Sequence, residues 1–154
     1  MREWRGTGSR VLEVTVRRAH ERDLPALVEI YRQGIEALHP RRPSPQSWAA
    51  EFEQDTLGEC VFVAELAGAG VVGMLSVWEG ESFIHHLYID ARYRRRGLGS
   101  RLLADVTKRL PGPFHLKCLV SNAEALAFYR RLGWRDAGME PGPDGAAVVL
   151  ELAG

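Results

Sequence analysis

The chain has 154 residues, 45% of them hydrophobic and 26% charged, and its 20 basic side chains balance 20 acidic ones to a formal net charge of zero. That length suits one domain with room for a core, and that composition is typical of a soluble globular protein. A neutral chain has no bulk field to draw in nucleic acid or an anionic membrane, and no apolar run approaches the ~20 residues of a membrane span. The start, Met1-Arg2-Glu3-Trp4-Arg5-Gly6-Thr7-Gly8, is polar and lacks the apolar segment of a signal peptide. Cys60 and Cys118 stand far apart among apolar neighbours, which reads as free buried thiols rather than a disulfide. A cytoplasmic location is the expectation.

Residues 1–10 are expected to be disordered and 11–154 to form the single domain. Leu12 to Arg17 alternates as a first strand. Asp23 can cap a helix with Pro25 in its first turn, and Leu24, Leu27, Val28, Tyr31, Ile35 and Leu38 share one helical face. Gly34 weakens that helix and Pro40 ends it. Ser44-Pro45 then reads as the cap and first residue of a short helix carrying Trp48 and Phe52. Three strands are expected at Cys60–Leu66, Val71–Trp78 and Phe83–Ile89, divided by Gly-rich turns. A helix with an inward stripe of Leu98, Leu102, Val106 and Leu110 follows, and Pro111-Gly112-Pro113 stops it. Phe114–Val120 is a fifth strand, Asn122 to Leu132 a helix ended by Gly133, and Gly133–Asp136 and Ala146–Leu150 two last strands joined through Pro143-Asp144-Gly145.

The stretch from Leu87 to Leu103 reads as a buried strand, a basic loop with two glycines, and a helix start. The first N–H groups of a helix lack internal partners, and the helix dipole adds positive charge there. Glycines admit a phosphate close to the backbone and arginines surround it with charge. The segment therefore suits a pyrophosphate. It is not the dinucleotide fingerprint, whose third glycine position is Leu102 here, nor the ATP loop, since no Lys follows Gly99.

What matches is R-x-x-G-x-G, as Arg94-Arg95-Arg96-Gly97-Leu98-Gly99, preceded by Leu87-Tyr88-Ile89. This resembles the coenzyme A site of the GCN5-related N-acetyltransferases (GNAT). A second block, Asn122-Ala123-Glu124-Ala125-Leu126-Ala127-Phe128-Tyr129-Arg130-Arg131-Leu132-Gly133-Trp134, resembles the family's later motif, N-x-x-A-x-x-F-Y-x-x-x-G-F, with Trp for the last Phe. The element order over residues 12–151 is also the family's. The resemblance implies an α/β (α+β) fold: a mixed, mostly antiparallel sheet of about seven strands with helices on both faces.

The resemblance also implies an acetyl-CoA-dependent N-acetyltransferase acting on a primary amine by direct attack on the thioester. The backbone of Arg96, Gly97, Leu98, Gly99 and Ser100 would bind the pyrophosphate, with Arg94 and Arg95 beside it. The main chain of Leu87, Tyr88 and Ile89 would bond the pantetheine arm like an added strand, and one of its N–H groups would face the thioester oxygen. Tyr129 becomes the general acid for the departing thiolate, and Asn122 a contact to the cofactor as well as a helix cap. The base position falls on His85 with His86 beside it, Glu79, Glu81 and solvent remaining as options. Strand alternation sends the two histidine rings to opposite faces, although the family often has a bulge here.

A metal reads poorly, since His85 and His86 are adjacent in a strand with no third ligand at a known spacing. Cys118 has no partner to activate it. A non-catalytic acyl-CoA sensor on the same fold is the alternative, and Tyr129 argues against it. By the fold the amine acceptor, a small molecule or peptide, is bounded by the first two helices, the His39–Ser47 loop and the Gly138–Gly145 hairpin. Arg41 and Arg42 read as surface residues. The family's habit allows a homodimer.

Overall fold

The computed structural model describes residues 13–154. The expected disordered start, and Leu12 of the expected first strand, lie outside the described residues. Seven strands, β1 (Val14–Arg18), β2 (Cys60–Leu66), β3 (Gly70–Trp78), β4 (Phe83–Ile89), β5 (Phe114–Leu119), β6 (Arg135–Glu140) and β7 (Ala147–Leu152), form one sheet in the order β1-β2-β3-β4-β5-β7-β6. Every neighbouring pair is antiparallel except β4 and β5. A parallel pair needs a crossover connection, and α3 (Leu98–Arg109) supplies it.

Helices cover both faces. α1 (Leu24–Leu38) and α2 (Trp48–Asp55) bury Leu27, Ile30, Tyr31, Ile35 and Phe52 against Val63 and Met74 of the sheet. α3 and α4 (Ala123–Arg131) bury Leu102, Leu103, Val106 and Leu126 against the other face, with Phe62, Leu75, Ile84, Leu116 and Leu150. The expected stripe of α3 is the buried one, except that Leu110 falls just past the helix end and is half-buried.

Local chemistry moves some boundaries. Asp23 stands at the N-cap of α1, yet its carboxylate makes no cap bond. Arg17 takes it with two hydrogen bonds of 2.8 and 3.1 Å, and the His20 N–H donates to it at 2.7 Å. Ser47, not Ser44, caps α2: its Oγ accepts from the Ala50 N–H at 3.1 Å, and Pro45 stays outside the helix. β6 runs to Glu140, beyond the expected Asp136. It is exposed throughout, so no alternation of apolar residues marks it.

Gly34 lies inside α1, where it costs the helix about 1 kcal/mol relative to Ala. The sheet explains it: a Cβ at this position would sit 2.4 Å from the Tyr88 ring of β4. Glycine lets α1 pass over that ring. Gly34→Ala therefore sets a propensity gain against overpacking worth about 1–3 kcal/mol. We expect a net loss of stability, read as a melting temperature several degrees lower. An unchanged or raised melting temperature would show that Tyr88 gives way.

Candidate active site

β4 and β5 pair only at Phe83 with His115 and Ile84 with Leu116. Beyond them the strands part: β4 continues along β3 as far as Ile89, and β5 along β7 as far as Leu119. The backbone of residues 85–89 thus has an edge inside the sheet that no strand covers. Leu87, Tyr88 and Ile89 all lie on it. The Ile89 carbonyl accepts a long bond, 3.4 Å, from Arg94 Nε. An uncovered edge of this kind takes an extended ligand as an added strand.

The split leads to the basic loop. Gly97 is the N-cap of α3 with φ of 78°, a left-handed conformation that glycine adopts freely, and Arg95 has φ of 64°. The first helical bond of α3 runs from the Arg101 N–H to the Gly97 carbonyl. The N–H groups of Leu98, Gly99 and Ser100 precede it and have no partner within the helix. Leu98 is buried and anchors the turn, while Gly97 and Arg94 to Arg96 are exposed. Arg96 lies over the Tyr93 ring at 5.4 Å and Arg95 reaches Glu124 at 3.5 Å. A Cβ on Gly99 would meet Phe128 at 3.5 Å and Ile89 at 3.9 Å, an ordinary contact. Donors and cations converge here as a pyrophosphate requires.

The two histidines are brought together rather than sent apart. Pairing passes from Ser76–His86 to Val77–Ile84 and skips His85. His85 is the extra residue of a bulge, which turns its ring to the face of His86. The rings stack with centroids 3.9 Å apart and planes at 30°. Each meets a carboxylate that the sequence did not single out. His86, 4% exposed, has Nε2 3.2 Å from Asp55 Oδ2 and Nδ1 2.8 Å from Ser76 Oγ. Asp55 also accepts from the buried Tyr31 hydroxyl at 2.9 Å. His86 first, and Tyr31 after it, hold the Asp55 carboxyl down to about 2 against burial, so Asp55 is ionised at any working pH. His85, 37% exposed, has Nδ1 2.7 Å from Glu59 Oε2.

These contacts assign the protons. An ionised carboxylate only accepts, so a neutral His86 donates from Nε2 to Asp55 and its Nδ1 accepts from Ser76. Both nitrogens of His86 are then engaged. A neutral His85 that donates from Nδ1 to Glu59 keeps its lone pair on Nε2, on the more exposed ring. Asp55, His85 and His86 bring ligand atoms within 4.8 Å of one another, the third group that sequence spacing did not reveal. Both His86 nitrogens and the Asp55 carboxylate are already taken up by hydrogen bonds within the protein.

Tyr129 lies on α4 among Phe128, at 5.2 Å, and Trp134, at 5.9 Å between ring centroids. Burial, foremost, and Cys118 push its phenol well above the ordinary value of 10, so it stays protonated. Tyr88 points to the opposite face of the split, against α1. Burial pushes its phenol up too, with Asp55 and then Tyr129 adding to the shift. Asn122 caps α4, its Oδ1 accepting from the Ala125 N–H at 3.3 Å. Glu79 pairs with Arg18 at 3.0 Å, and Glu81 is exposed in the neighbouring turn. Cys60 and Cys118 are free thiols, Cys60 only half-buried. His39 at the end of α1 comes within 3.5 Å of Asp144, so the two expected acceptor loops do meet.

Residues 24–134 match the Acetyltransferase (GNAT) family. The chain belongs to that family. A curated relative, the Blasticidin-S acetyltransferase of Streptomyces morookaense, is 34% identical over 123 residues, covering 77% of this chain and 87% of its own. The fold is that of GNAT structures. An N-acetyltransferase from Staphylococcus aureus Mu50 has a TM-score of 0.74 at 15% identity, over 90% of this chain and 100% of its own. The ribosomal-protein-alanine N-acetyltransferase of Brucella melitensis has 0.69 at 24% identity, over 90% and 99%. The yncA protein of Salmonella typhimurium, solved with its cofactor acetyl-CoA, has 0.66 at 22% identity, over 92% and 94%. This GNAT protein is an acetyl-CoA-dependent N-acetyltransferase, and its acceptor is an amine. Among the described residues no helix is long and apolar enough to cross a membrane.

The anion site has a direct test. Gly99→Asp places a carboxylate where the pyrophosphate charge is expected, in a position with room for a Cβ. The melting temperature should hold while acetyl-CoA affinity, measured by calorimetry, falls at least tenfold, about 1.4 kcal/mol. Unchanged affinity would remove the site from this loop.

Proposed function

We propose that this GNAT enzyme acetylates a primary amine of a small polar acceptor by direct attack on the thioester, with His85 as base and Tyr129 as acid. The observation that carries this reading is the hydrogen bonding of the histidine pair, which leaves His85 Nε2 as the one nitrogen of the two rings without a partner. Acetyl-CoA supplies an activated acetyl group and a thiolate leaving group. The amides at the start of α3, with Arg94, Arg95 and Arg96, hold its pyrophosphate. The open edge at Leu87, Tyr88 and Ile89 orients the pantetheine arm, and an N–H of that edge polarises the carbonyl. His85 Nε2 accepts a proton from the incoming ammonium, directly or through water. Tyr129, kept protonated by its burial, donates to the sulfur from the α4 side of the split. Asn122 fixes the start of the helix that carries Tyr129.

Asp55 and Glu59 place negative charge beside His85, which favours a cationic acceptor over an acidic one. The identity to a Blasticidin-S acetyltransferase makes blasticidin S the first acceptor to assay. The unpaired thiols fit a reducing, cytoplasmic compartment.

Release of free thiol from acetyl-CoA across a panel of amines tests the reading as a whole. Tyr129→Phe keeps the ring and removes the proton. General acids contribute ~10²–10⁴-fold, and a thiol is an easy leaving group, so the loss in turnover should fall at the low end, with acetyl-CoA affinity unchanged. Wild-type turnover with chemistry rate-limiting would make Tyr129 a packing residue. His85→Ala should lower turnover and flatten the acidic limb of the pH–rate profile. If His86→Ala does so and His85→Ala does not, the two roles are exchanged.

A further inference from the structure

We infer that Glu59 is the positioning carboxylate of the acetyltransferase site, holding the proton of His85 on Nδ1 so that Nε2 faces the acceptor as a lone pair; this rests on His85 being the base. Glu59 lies between α2 and β2. Gly58, with φ of 82°, turns the chain there and brings the Glu59 side chain under the bulge of β4. The side chain is 9% exposed. Its Oε2 meets His85 Nδ1 at 2.7 Å, while Oε1 is buried with no hydrogen-bond partner.

A carboxylate kept only for the fold is normally satisfied by backbone N–H groups or an arginine, because an unpaired buried oxygen is costly. Among the described residues the single donor to Glu59 is an imidazole. The remaining charged or titratable groups around His85 are already occupied or turned away. The His86 ring lies against it and is engaged at both nitrogens. The Asp55 carboxylate of α2 is taken by His86 and by Tyr31 of α1. Tyr88 of β4 lies beyond His86, at 5.5 Å between those rings. Glu59 is thus the one group that decides which nitrogen of His85 carries the proton. Its charge also balances the imidazolium formed when Nε2 takes a second proton from the amine, a pairing used wherever a base must be oriented by a third group.

Nitrogen-15 NMR of the imidazoles reads the tautomer without any turnover. In the wild-type protein neutral His85 should carry its proton on Nδ1. In Glu59→Ala the Nε2–H form should appear, turnover should drop on the order of 10–100-fold, and the KM for acetyl-CoA should not move. Glu59→Gln keeps a hydrogen-bonding group without the charge and should recover part of the turnover. Circular dichroism melts check that both variants fold. A wild-type His85 protonated on Nε2, or a Glu59→Ala variant with unchanged tautomer and turnover, would overturn the assignment. The two layers separate cleanly. His85→Ala at wild-type turnover would remove the base reading whatever Glu59 does to the tautomer. An inactive His85→Ala beside an unaffected Glu59→Ala would remove Glu59 alone.

Discussion

The two residue pairs shared by β4 and β5 are the hinge on which the rest of the structure is arranged. Within a sheet, backbone donors and acceptors must find partners, and a strand with an open inner edge is stable only if its other edge is secured. Here β3 secures β4 on both sides of the His85 bulge and β7 secures β5 over its full length. The gap between them is therefore a slot whose two walls are each held from behind by a paired strand. Its lower end is closed by Phe83 and Ile84, and its upper end runs into the glycine loop and the start of α3. One continuous piece of main chain, residues 85–100, supplies first an uncovered strand edge and then unpartnered helix amides. An extended arm ending in a pyrophosphate matches both.

The same hinge sets the proton chemistry. The bulge at His85 begins where the β4–β5 pairing ends, and it stacks two histidines on the face covered by α1 and α2. Those helices supply the partners: Tyr31 and Asp55 clamp His86, and the turn after α2 brings Glu59 to His85. Tyr129 comes from the opposite face, on α4. In the proposed mechanism the proton accepted on one side of the slot and the proton donated from the other are thus handled by different layers of the molecule. Gly34 belongs to this arrangement, since α1 lies low enough to deliver Tyr31 only because no side chain meets Tyr88.

Local pattern carried much of this into the sequence. β2 and β4 are bounded by turn residues and mostly apolar, so their limits are legible to the residue. The loop from Arg94 to Ser100 is legible because its chemistry is main-chain chemistry, set by glycines and a helix start. β6 is not, being exposed on both faces. Ser44 and Ser47 are equally good caps on paper, and only the packing of Trp48 and Phe52 onto Tyr31 chooses between them. The carboxylates that meet the two histidines were hidden for a different reason. Glu59 lies 26 residues from His85, and Asp55 31 from His86, so no spacing rule links them. The one local trace was Ser76, a polar residue inside the apolar run of β3, which marks where a buried partner stands across the sheet.

The central claim is that the β4–β5 slot is where acetyl-CoA lies. Titrating the amide spectrum of the protein with coenzyme A measures this directly. The slot predicts that shifts concentrate at residues 85–89 and 96–100, with those on the outer edge of the sheet in β1 and β6 unmoved. Saturable binding that leaves residues 85–89 unperturbed would contradict it.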